Sequence, residues 1–100
     1  MRVKSESERF HTLIDPFGPI EWLDNETLVG RMREVSSKLI AVRFVGESEL
    51  AKPAPDNFYF KDNIPIGHHL KEELVSPDGK KVAVRMGDDA FAMVAVYDIE

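Results

Sequence analysis

Ser76-Pro77-Asp78-Gly79-Lys80-Lys81-Val82-Ala83-Val84-Arg85-Met86 is the stretch that decides the fold class. Pro77 brings the fixed φ that suits the second position of a type I turn, and Gly79 tolerates a left-handed backbone. The chain is therefore expected to reverse here and leave as a strand, with Val82, Val84 and Met86 on one face. Gly87-Asp88-Asp89 turns it again. Phe91 to Ile99 then returns as a strand that is apolar on both faces, the pattern of a strand covered on both sides.

Earlier in the chain the same order of signals occurs. Ile20 to Leu23 is strand-like and stops at Asp24-Asn25. Leu28 to Arg33 and Lys38 to Val45 follow, joined by Glu34-Val35-Ser36-Ser37, and Leu39 to Val45 is apolar at nearly every position. An offset of 54 pairs Asp24 with Asp78, Arg31 with Arg85, Met32 with Met86, Ala41 with Ala95 and Val42 with Val96. Both copies run turn, strand ending in Arg-Met, polar turn, buried strand. Duplication accounts for this echo, and so does convergence of two hairpins under similar packing demands.

The residues carrying the echo also carry a resemblance. Ser76-Pro77-Asp78-Gly79-Lys80-Lys81-Val82-Ala83-Val84, closing with Val96-Tyr97-Asp98-Ile99, resembles a repeat of the TolB-type, WD40-like β-propellers. Trp22-Leu23-Asp24-Asn25-Glu26-Thr27-Leu28 is similar to the weaker form of that motif in propeller domains of prolyl-oligopeptidase-type enzymes. The resemblance covers roughly half the chain and implies a binding platform for other proteins. A propeller typically closes with about four to eight blades of four strands, and 100 residues hold about two. With Met1 at the start and a strand at the end, the expected form is a small antiparallel sandwich or barrel, and the poorly protected edge of Phe91 to Ile99 is expected to be covered either by an earlier strand of the same chain or by its counterpart in a homodimer.

Outside the two hairpins the signals are weaker. Residues 1–9 form a polar start, expected to fray, and Phe10 to Ile14 is a short β-prone run ended by Asp15-Pro16-Phe17-Gly18-Pro19. Pro53, Pro55 and Pro65 break any ladder, so 47–66 is expected to be an irregular connection. Gly67 to Val75 suits a short helix or a strand. The expected organisation is thus one mainly-β domain: a hairpin unit at 20–46, a Pro-rich connection at 47–66, a hairpin unit at 70–100, and at most one short helix.

Composition narrows the function classes. The chain is 43% hydrophobic and carries 13 Lys+Arg against 18 Asp+Glu, a net charge of −5. An acidic surface argues against sequence-independent nucleic-acid binding, which needs a basic one. With no cysteine there are no disulfides, thiolate metal sites or cysteine nucleophiles. That absence, together with a start lacking an apolar signal region, favours the cytoplasm, and no apolar run reaches the roughly 18 residues that span a bilayer.

Chemistry-bearing constellations are few. His68 and His69 with Glu72, Glu73 and Asp62 have helical ligand spacing, but adjacent histidines cannot both face one ion from a regular element, and no H-E-x-x-H pattern occurs. No serine lies in a G-x-S-x-G elbow, and the six glycines are scattered singly. No catalytic residue, metal ligand or cofactor is therefore assigned. Phe58, Tyr59 and Phe60, with Trp22, make the best candidate contact surface, because aromatic side chains in a Pro-rich loop often anchor a partner. They equally suit a lid on a small core, with Phe58 and Phe60 inward and Tyr59 outward. Arg31 and Arg85, if equivalent, would form a matched pair on one surface. The expected function is a non-enzymatic protein–protein interaction module, with a small metal-dependent or acid–base enzyme using His68 and His69, or an accessory piece of a propeller-bearing hydrolase, as alternatives.

Overall fold

The computed structural model describes residues 2–4, 7–11, 13–35, 37–60, 73–86 and 92–100. Eight strands form: β1 Arg9–His11, β2 Ile20–Trp22, β3 Thr27–Arg31, β4 Leu39–Val45, β5 Ser48–Pro53, β6 Glu73–Val75, β7 Lys81–Met86 and β8 Met93–Asp98. They make two four-stranded antiparallel sheets, packed as a sandwich. The first runs in chain order, β2-β3-β4-β5, and the second runs β6-β7-β8 and is completed by β1. No helix occurs among the described residues.

The two hairpin turns are held by the same device. The Asp24 carboxylate accepts from the amides of Glu26 and Thr27, both at 2.8 Å. The Asp78 carboxylate accepts from the Lys80 amide at 3.0 Å and from the Ser76 hydroxyl at 2.8 Å. Burial works to raise the Asp24 pKa, but these amides, with Thr27 and Arg43, hold it below its ordinary value. Gly79 has φ +74°, as the turn requires, with open space where a Cβ would stand. Backbone conformation alone then sets the cost of a side chain. Gly79→Val is expected to lower stability by roughly 1 kcal/mol or more, read as a lower melting temperature with the native fold kept.

Both near-continuous apolar strands lie inside their sheets. β4 pairs with β3 and β5, and β8 with β7 and β1. Ile40, Ala41 and Val42 in β4, and Val94, Ala95 and Val96 in β8, are all buried, so both faces of each are covered there. β4 opens to solvent at Arg43 and Val45. One core cluster joins the sheets: Ile14, Trp22, Leu28, Ile40, Val42 and Phe44 from the first side meet Ala83, Val94 and Val96 from the second.

The hydrogen-bonding phase shows how the sheets meet. Met32 donates to the Lys38 carbonyl and Phe44 to that of Glu26, so by antiparallel alternation Leu28–Val42 and Gly30–Ile40 are hydrogen-bonded pairs. In the second sheet Ile99 donates to the Lys80 carbonyl, making Val82–Tyr97 and Val84–Ala95 the bonded pairs and Ala83–Val96 a non-bonded one. The core thus takes bonded pairs from one sheet and non-bonded pairs from the other. For L-residues that phase fixes which face a side chain occupies, so the sheets contribute opposite faces. Cross-links keep like with like: the Trp22 indole donates to the Leu74 carbonyl at 2.8 Å, joining the two first strands. Arg33 Nη1 reaches the Ala92 carbonyl at 3.4 Å at the other end. The sheets are stacked front to back, in the same orientation.

Four expectations are corrected. The 47–66 connection contains a strand, β5, because Pro53 falls at its last position, where a missing N–H costs little. In the polar start, the described residues are tied to the end of the chain: Lys4 donates to the Asp98 carbonyl at 2.9 Å, the Asp98 amide donates to the Ser7 hydroxyl at 2.7 Å, and Glu100 donates to the Arg2 carbonyl. The echo is not a uniform offset of 54. Leu28 and Val82 correspond, but their partners are Val42 and Tyr97, one residue further on than the offset places it. Finally, Arg31 and Arg85 hold corresponding positions yet share no surface. Front-to-back stacking leaves Arg31 on the outer face of the first sheet and puts Arg85 on the face between the sheets. Glu73–Val75 is a strand; the remaining residues of 67–75, His68 and His69 among them, lie outside the described residues.

Candidate functional site

After β5 the chain turns back across the outer face of the first sheet. Pro53 and Pro55 stand over Leu23, Asp24, Thr27, Ala41, Arg43 and Lys52 around a concavity of about 380 Å³. Pro55, Asn57, Phe58 and Tyr59 share a second concavity of about 290 Å³ with Glu21, Trp22 and Leu23. Leu23 and Pro55 line both, so the two are neighbouring parts of one groove. A larger hollow of about 640 Å³ lies beside it, between Met32, Lys38, Ile40 and the Pro53–Phe58 run.

Three of the expected contact residues, Trp22, Phe58 and Tyr59, therefore meet around one concavity, and Phe60 is adjacent. Their roles differ. Trp22 is only 7% exposed, with its indole N–H bound to Leu74 and its ring edge-on to Phe44 at 6.3 Å. It is a core residue that shows one edge to the groove. Phe58 and Phe60 are half-buried and meet edge-to-face at 5.2 Å. Tyr59 is 80% exposed. The alternation is that of a lid whose middle residue is left outside. Arg31 and Arg85 do not join this group.

Leu23, Pro55 and Asn57 complete the groove and were not candidates on sequence grounds. Leu23 closes a strand-like run in a turn, and Pro55 reads as a breaker; neither signals which face of a sheet the chain will recross. Leu23 is nevertheless 42% exposed, a large aliphatic side chain left beside Tyr59 and Pro55.

Among the described residues, no group of three or more His, Asp or Glu side chains is placed to hold a metal ion, and no helix is long and apolar enough to cross a membrane. Comparison of the chain with protein-family models, curated proteins and solved structures returns no match.

Proposed function

We propose that this protein is a non-enzymatic interaction module of the cytoplasm that docks another protein on the groove between Leu23, Pro55 and Tyr59. One observation carries the reading. Tyr59, the most exposed large apolar side chain described, is held outward by a segment whose neighbours Phe58 and Phe60 are tucked in. An aromatic residue pre-positioned in this way loses little conformational freedom when it enters a partner's pocket, and such residues dominate interface energetics. The flanking apolar surface of Leu23 and the prolines would exclude water around it.

The front-to-back stack supports a propeller-like origin. Neighbouring blades meet in that manner, with first strand beside first strand, and β1 supplies the outermost strand of the second sheet. The family's use as a binding platform fits this reading.

The test compares capture of native-host proteins by the wild type and by Tyr59→Ala and Leu23→Ser variants, with mass spectrometry as readout. A partner held by the wild type is expected to be lost from both variants, whose melting temperatures should stay near that of the wild type because both positions are exposed. Retention of the same partners by both variants would move the docking surface elsewhere.

A further inference from the structure

β1 is first in the chain but last in its sheet. Its backbone pairs with β8 alone, Arg9 opposite Val96 and His11 opposite Val94. The segment before it runs on along the same edge, with Val3 bridging Ile99 and Ser7 Oγ bonded to the Asp98 amide. All side-chain contacts described between this segment and the other sheet belong to one residue. The Arg9 guanidinium lies over the Phe44 ring, 5.7 Å from its centroid, donates to the Gly46 carbonyl, and has Nε 3.9 Å from Glu49 Oε1.

That contact is an imperfect fastening. The Arg9 side chain is 13% exposed, and its Nη1 is buried without a hydrogen-bond partner. Removing a guanidinium from water while leaving one donor unmet offsets part of what the ring, carbonyl and carboxylate contribute. Phe44 is fully buried and belongs to the core cluster that joins the sheets. The two sheets keep their packing through the core cluster, whereas the contacts described between this segment and the other sheet come from Arg9; along its own edge Ser7 Oγ accepts from the Asp98 amide, Glu8 bonds Tyr97, and Arg2 pairs with Glu100.

We propose that residues 7–11 are an exchangeable strap, so that the edge of β8 accepts the same segment from a second copy of the chain, with Arg9 as the side chain that selects it. Antiparallel pairing places the Val94 and Val96 amides toward β1, so release of the strap uncovers two strong donors flanked by buried valines. A strand that satisfies those donors and also inserts a guanidinium over Phe44 is what this edge is shaped to hold.

The experiment uses the full-length chain carrying Arg9→Gln, which loosens its own strap, and a fluorescently labelled peptide of residues 1–12. Saturable one-to-one binding of this peptide is expected, with the same peptide bearing Arg9→Gln weaker by roughly tenfold or more. No binding, or equal binding of the two peptides, would overturn the proposal. Should Arg9→Gln not fold, Glu49→Gln weakens the same fastening from the opposite side and takes its place. Hydrogen exchange on the wild type gives an independent decision. The Val94 and Val96 amides are expected to exchange faster than those of Gly30 and Val42, whereas exchange of all four at one rate would show that the strap leaves only on global unfolding.

Discussion

Val42→Asp is expected to abolish the cooperative unfolding transition. Val42 is fully buried in the middle of β4, opposite Leu28 on one side and Ala51 on the other, and belongs to the cluster that joins the sheets. A carboxylate there would stand among the apolar side chains of that cluster. The penalty, on the order of 5 kcal/mol or more, matches the whole stability of a domain of this size. Val96→Asp, buried at the corresponding depth in β8, should behave the same way. Leu50→Asp on the exposed strand β5 is the control, since Leu50 is 57% exposed and its replacement should cost little. Urea denaturation followed by circular dichroism reads all three. A wild-type-like transition for Val42→Asp would mean that the two sheets do not share this core.

The second large effect is expected at Gly30, for a steric reason. Gly30 lies on the core face of β3, and a Cβ added there would stand 2.6 Å from Ile14 Cγ2 and 3.3 Å from Ile20 Cγ2. Ile14 is fully buried, anchored by its bridge to Met32, and β-branched, so its methyl group cannot swing aside. Gly30→Ala should cost roughly 1–3 kcal/mol by overpacking, and Gly30→Val more. The mechanism has its own signature. In Gly30→Ala/Ile14→Ala the clash is gone, so the double variant should lose less stability than the two single variants added together. Strict additivity would show that Gly30 is needed for some reason other than room for Ile14.

Much of this fold was legible because strand periodicity and turn chemistry are local. Pro77-Asp78-Gly79 turns as its side chains require, and the near-continuous apolar runs of β4 and β8 foretell burial on both faces. What could not be seen was set by partners far away in the chain. β5 is exposed along its whole length and rich in Lys, Glu and Pro, so nothing in its composition separates it from a loop; it is a strand because β4 offers it a ladder. Arg9 sits in a polar start, and its fastening is visible only once β1 lies across from the β4–β5 hairpin. The one-residue shift between the two units also escaped the offset alignment, because one more residue between Val82 and its partner Tyr97 than between Leu28 and its partner Val42 moves a pairing without altering the apolar pattern. In the candidate site, the aromatic residues were apparent from their rarity, whereas Leu23 and Pro55 became part of it through the path of the chain.

The way the two sheets meet also limits how copies of this molecule could associate. Two identical surfaces meeting about a dyad form a closed pair, with each residue contacting its symmetry mate's partner. The packing between these sheets is of the other kind: it joins unlike faces and has a direction, so a stack always ends in one free front and one free back. Reused between molecules, it would be heterologous, and such contacts end either in a ring or in an open filament, according to the rotation per step. A two-fold dimer of this chain would have to be built from a different surface.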